Sequence, residues 1–219
     1  MNLKPWIAAA LIGTGGIAVA QDNSTLSVEG EEMVTETAAP AHLDNVRTIY
    51  SGWRFRTPET QALQMDDFEN PAMIFVDQAL DLWDTVDGTE GHSCSSCHTD
   101  GPEEFAGLHA QMPKVVNGRV VVMEDIINEH RRELMGADEW KWSGPEMQSM
   151  VALIGLQSRG MPMDVAIDGD AAPFWEQGKD MYYTRYGQLE LSCANCHEDN
   201  YGNMIRADHL SQGQINGFP

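Results

Sequence analysis

The four cysteines fall in two pairs, Cys94-Ser95-Ser96-Cys97-His98 and Cys193-Ala194-Asn195-Cys196-His197. Both are C-x-x-C-H, the attachment signature of c-type haem. At this spacing the two thiols add to the two vinyl groups of one haem. The adjacent histidine is then carried to the iron as the proximal ligand. A structural disulfide is the ordinary use of cysteine outside the cytoplasm, but it does not ask for the histidine. A thioredoxin-type pair does not ask for it either, and zinc would want further ligands at close spacing. The pattern therefore predicts two covalently bound haem c groups. Cys94, Cys97, Cys193 and Cys196 would form the thioethers, and His98 and His197 would be iron ligands.

The elements that carry the two motifs repeat at an offset of 99 residues. Phe75 and Phe174, Gln78 and Gln177, Asp81 and Asp180, Trp83 and Tyr182, Gly88 and Gly187, and Ser93 and Ser192 stand at matching positions ahead of the first cysteine. A repeated helix, glycine turn and attachment loop follow from this, as in small helical cytochromes c. Asn70-Pro71 reads as a helix start, with Asn as cap and Pro at the first position. The helix is predicted to run to about Asp87, with Phe75, Ala79, Leu82, Trp83 and Val86 on one face. Val115 to Val121 has Asn117-Gly118 between β-branched residues, a hairpin signal. Pro145 opens another helix whose apolar side is Met147, Met150, Val151, Ile154 and Leu156, and which would cross the first and close the haem pocket. The fold class is mainly α, with two tandem cytochrome c-like domains. Residues 49–163 form the first and 164–219 the second, which is truncated, because far fewer residues follow His197 than the first domain spends between His98 and Gly160.

Residues 1–20 have one lysine, an apolar stretch and a final Ala18-Val19-Ala20, the pattern of a cleaved export signal. The apolar stretch is interrupted by glycines and short for a bilayer span, so a soluble periplasmic protein without a membrane anchor is expected. Residues 21–48 are acidic and without period, and read as a linker. Lys and Arg number 13 against 34 Asp and Glu, a net charge of −21, which argues against nucleic acid as a partner.

The flanks of the motifs narrow the class further. Asp66-Asp67-Phe68-Glu69-Asn70-Pro71, Leu156-Gln157-Ser158-Arg159-Gly160-Met161-Pro162 and Gly187 to Gly202, continued by Ser211 to Pro219, resemble the SoxA family over about residues 45–219. SoxA proteins are the dihaem c-type cytochrome subunits of the SoxAX thiosulfate-oxidising complex. The resemblance implies an L-cysteine S-thiosulfotransferase subunit. It would couple thiosulfate to a cysteine of a SoxYZ-like carrier protein, pass electrons to haem, and pair with a small SoxX-like cytochrome c subunit. It also implies a catalytic cysteine on the second haem, after the Gly217-Phe218-Pro219 segment. No catalytic residue is therefore assigned within 1–219. In many dihaem members the first haem has a distal cysteine in an Ile-Asn-x-Cys-Arg context. Here the stretch is Ile127-Asn128-Glu129-His130-Arg131, so His130 becomes the expected distal ligand of the first haem. Met123, Met135 and Met147 are alternatives, His109 a weaker one, and His42, His92 and His209 read as solvent histidines. The competing function is a dihaem electron-transfer cytochrome with no substrate chemistry. A dihaem peroxidase is a third reading.

Overall fold

The computed structural model describes residues 25–41, 43 and 45–213; the expected export signal, His42 and the Gly217-Phe218-Pro219 segment lie outside the described residues. At the N-terminal side β1 (Leu26–Val28) pairs antiparallel with β2 (Glu31–Met33), and β3 (Glu36–Ala38) with β4 (Thr48–Tyr50). Glu29 and Gly30 make the first turn at positive φ. The sequence suggested a featureless linker here. Three-residue strands with exposed glutamates carry no readable alternation, yet Val28, Thr35 and Val46 are buried. Residues 48–56 then reach the segment that follows the second attachment motif. The Tyr50 amide donates to Gln212 Oε1 at 2.7 Å, and Gln212 Nε2 donates to the Thr48 carbonyl at 2.9 Å. Arg56 donates to the His209 carbonyl at 3.3 Å, and the Tyr50 and Phe55 rings sit 6.4 and 6.3 Å from Tyr201.

α1 (Pro58–Gln64) starts as its sequence dictates, with Thr57 as cap and proline at the first position. α2 (Met73–Asp84) begins three residues past Asn70, whose side chain instead accepts from the Ala72 amide. Val76, Ala79 and Trp83 form its buried face. Phe75 and Val86, expected on that face, are exposed. The same helical period admits Val76 or Phe75, and only the neighbour across the interface decides between them. α3 (Cys94–Cys97) is a single turn. β5 (Lys114–Val116) and β6 (Arg119–Val121) form the expected hairpin, with Asn117 and Gly118 both at positive φ as a type I′ turn requires. α4 (Met123–His130) continues into a π-helical turn, Arg131–Met135, that Gly136 ends in the left-handed region.

α5 (Pro145–Leu156) packs along α2, the helix crossing anticipated from the sequence. Val76, Ala79, Trp83, Met112, Met123, Met150, Leu153 and Ile154 make the core between them. Burying one such large apolar side chain stabilises by roughly 1.5–3 kcal/mol. Outside this pair, Arg159 at the end of α5 holds Asp67 through both carboxylate oxygens at 2.8 Å, which joins two of the stretches that carry the family resemblance. α6 (Ala172–Tyr183), α7 (Cys193–His197) and a small ribbon of β7 (Met204–Ile205) and β8 (Asp208–His209) are the remaining elements among the described residues. α2 and α6 have the same length at the same offset of 99 residues, so the sequence repeat is a structural one. Among the described residues no helix is long and apolar enough to cross a membrane.

Candidate haem-attachment sites

Each attachment motif is a capped helical turn entered from a tight loop. Ser93 caps α3: its hydroxyl accepts from the Ser96 amide at 3.2 Å, and the Ser96 hydroxyl accepts from the Ser93 amide at 3.1 Å. Ser192 and Asn195 do the same at α7, at 3.4 and 3.0 Å. The serine before each first cysteine and the polar residue before each second one thus form a capping box. That box fixes the turn on which both thiols and the histidine are displayed. Upstream, Asp87 bridges His92 and Tyr186 bridges Leu191, with Gly88 and Gly187 turning at φ of 76° and 72°. Thr85 and Thr184 close the preceding helices by donating to the Asp81 and Asp180 carbonyls at 2.7 and 2.5 Å. This threonine pair keeps the same offset of 99 residues and belongs to the repeat.

The first site is walled by α2, α4 and the 3-10 turn Pro102–Phe105. The His98 ring lies 4.9 Å from Phe105 and 5.8 Å from Trp83. Its Nδ1 is hydrogen-bonded to the Glu104 carboxylate, which leaves Nε2 as the nitrogen for a metal. The His130 ring, delivered by the last residue of α4, stands 5.9 Å from the His98 ring with the planes 13° apart. His98 and His130 are close enough that both could serve one haem iron. Burial, and next the neighbouring His98, hold the His130 pKa below its ordinary value, which keeps its lone pair available. Burial likewise pushes the Cys94 thiol up, with Arg131 pulling the other way. Met123, Met135 and Met147 are buried, Met123 within the core between α2 and α5. The His109 ring lies against Gly155 of α5, and His92 is exposed.

At the second site His197 Nδ1 donates to the Ser211 carbonyl at 2.8 Å. A carbonyl only accepts, so Nδ1 carries the proton and Nε2 is the free nitrogen. Glu198, next in the chain, is buried and accepts from Tyr183 at 2.7 Å and from Asn45 at 3.1 Å. With Glu198 nearby, burial raises the Tyr182 phenol to about 12. His209 and Arg206 are exposed on the ribbon. The donor chemistry fits haem c at both places: two unpaired thiols one turn apart, and a histidine oriented through Nδ1.

Comparison with known proteins agrees with this chemistry. Residues 78–163 match the family described as SoxA/TsdA, cytochrome c domain. The chain is 60% identical to the L-cysteine S-thiosulfotransferase subunit SoxA of Paracoccus pantotrophus, over 86% of this chain and 66% of that protein. It is 54% identical to the subunit of the same name from Rhodovulum sulfidophilum, over 97% of this chain and 77% of the relative. The corresponding figures for Pseudaminobacter salicylatoxidans are 40%, 99% and 78%. The chain thus spans about two thirds to three quarters of these relatives. The crystal structure of SoxXA from P. pantotrophus superposes with a TM-score of 0.83 at 56% identity, covering 91% of this chain and 77% of that one.

Proposed function

This chain belongs to the SoxA family, and from that premise we propose that it is the dihaem subunit of a periplasmic L-cysteine S-thiosulfotransferase. As in other cytochrome c domains, its haem c is covalently bound. Cys94 and Cys97 would tether the first haem, with His98 and His130 to hold its iron; Cys193 and Cys196 would tether the second, with His197 to hold its iron. When bound, the haem groups supply one-electron acceptors. The chain's own residues hold them: the capped turns display the thiols, and Glu104 and Ser211 orient the proximal rings. In the reaction a carrier-protein cysteine of the SoxYZ type is joined to thiosulfate. Joining them forms a sulfur–sulfur bond, releases the thiol proton and releases two electrons, for which the bound haem groups would be the acceptors. All four cysteines of 1–219 are used in attachment, so none of them is assigned to the sulfur chemistry. Residues 1–20 are the export signal. Residues 49–163 and 164–219 are tandem cytochrome c-like units, and the partner is a small SoxX-like cytochrome.

The observation that carries this reading is the repeat, in which two 12-residue helices, each followed by a positive-φ glycine and a capped C-x-x-C-H turn, stand at one constant offset. The test is purification of the mature full-length protein from its native periplasm. Two haems by intact mass, co-purification with a small cytochrome, and thiosulfate-dependent mass gain on a carrier cysteine are expected. A single haem, or a monomer that performs the coupling alone, overturns it.

A further inference from the structure

Arg131 follows His130 directly and is buried, 5% exposed. Its Nη2 donates to Asp87 Oδ2 at 2.7 Å and its Nε to the Asp138 carbonyl at 2.9 Å. Its guanidinium sits over the Trp140 ring, with Cζ 3.9 Å from the ring centre. Trp140 in turn is held by both ends of the Asn128 amide, at 2.8 and 2.9 Å. Asp87 starts the turn that leads into Cys94. The same turn makes two more contacts with the π-helical turn after His130: the Thr89 amide donates to the Gly136 carbonyl at 3.2 Å, and the Glu90 amide to the Met135 carbonyl at 3.1 Å. A methyl group on Gly88 would meet the Met135 oxygen at 2.2 Å. At the second site the corresponding Gly187 has nothing within 4 Å. The loop that presents His98 and the helix that presents His130 are therefore bolted together, and among the described residues the second site has no such junction.

We propose that the Arg131–Asp87 pair is a positioning device that fixes the separation of His98 and His130 and keeps the first haem closed to outside ligands. The chemistry suits the task. A planar guanidinium gripping a carboxylate, a carbonyl and an aromatic face at once has little freedom left. Consecutive residues on a helix point about 100° apart, so His130 faces the haem site while Arg131 faces the attachment loop. The proposal rests on His98 and His130 being the axial pair, and its test separates the two claims.

The experiment uses the full-length holoprotein with both haems counted. Cyanide binding to each ferric haem is followed by stopped flow, and the low-spin signals by electron paramagnetic resonance. Asp87→Asn and Arg131→Met are expected to speed cyanide entry at the first haem about tenfold or more, on the scale of outer-shell losses at metal sites, with broadened low-spin signals. Arg131→Lys does not restore the native rate, because a single ammonium cannot span the three partners. The second haem keeps its native rate and spectrum. Unchanged cyanide entry in loaded Asp87→Asn and Arg131→Met overturns the brace, and so does equal opening of both haems. Should Arg131→Met fail to accumulate, Asp87→Asn decides, since its side chain is half exposed. His130→Ala is the reference. If it leaves the first haem closed, the axial assignment fails. If it opens that haem while the Arg131 and Asp87 variants do not, the brace alone fails.

Discussion

At the scale of single residues, the two proximal histidines have different partners for Nδ1, a carboxylate at His98 and a backbone carbonyl at His197. Each fixes the tautomer, and the carboxylate makes the ring the stronger donor. His130, across from His98, lies at an exposed position, is shifted toward the neutral form, and is nearly parallel to that ring. An imidazole pair stabilises ferric iron, whereas a thioether ligand raises the potential. His130→Met therefore is expected to keep the first haem six-coordinate and low-spin while raising its midpoint potential. The potential of the second haem stays put. Spectroelectrochemical titration reads both couples, and an unmoved first potential would assign the native ligand to Met123, Met135 or Met147.

The elements show why some of this was legible and some was not. The C-x-x-C-H turns, their serine caps and the positive-φ glycines are local chemistry, so the sequence displays them twice. The α2 and α5 crossing follows from two apolar helical faces, but the phase of α2 does not. Val76 is buried and Phe75 exposed because of what α5 presents, which no period reveals. His130 became legible only as an exception to a family pattern. Arg131 reads in the sequence as a polar haem-rim residue that could pair with a propionate; its burial was not legible, because nothing about an arginine in a charged stretch says that its partner is Asp87, 44 residues earlier. The two attachment loops give a paired test at this scale. Gly88→Ala and Gly187→Ala both place a side chain at positive φ, which costs about 1–2 kcal/mol. At Gly88 the added methyl also strikes the Met135 carbonyl. Denaturant unfolding followed at each haem is expected to show Gly88→Ala as clearly the more destabilising, with its loss centred on the first haem. Equal costs would mean that the loop is not seated on the π-helical turn.

Across the whole molecule, chain order and spatial order differ. The acidic stretch at the N-terminal side was legible as composition only. Its strand β4 is nonetheless stitched to residues that follow the second attachment motif, more than 160 positions away. Gln212 does the stitching. It is buried, and its amide behaves as a piece of strand, accepting from the Tyr50 amide and donating to the Thr48 carbonyl. The residue before it, Ser211, supplies the carbonyl that orients His197. A glutamine deep in a loop carries no signal in a sequence, since its partners are backbone groups remote in the chain. Gln212→Ala removes both bonds and strands two backbone groups, which costs about 1–3 kcal/mol. The loss is expected to be local. Residues 48–50 and 211–212 exchange their amide protons faster, and the second haem's spectrum shifts as the Ser211 carbonyl loosens its hold on His197. The first haem, braced from its own loop, keeps its spectrum and its cyanide rate. Hydrogen exchange together with resonance Raman on the full-length holoprotein checks both halves. A variant that leaves the second haem and the Tyr50 amide untouched would show that the N-terminal strands merely lie alongside the second site.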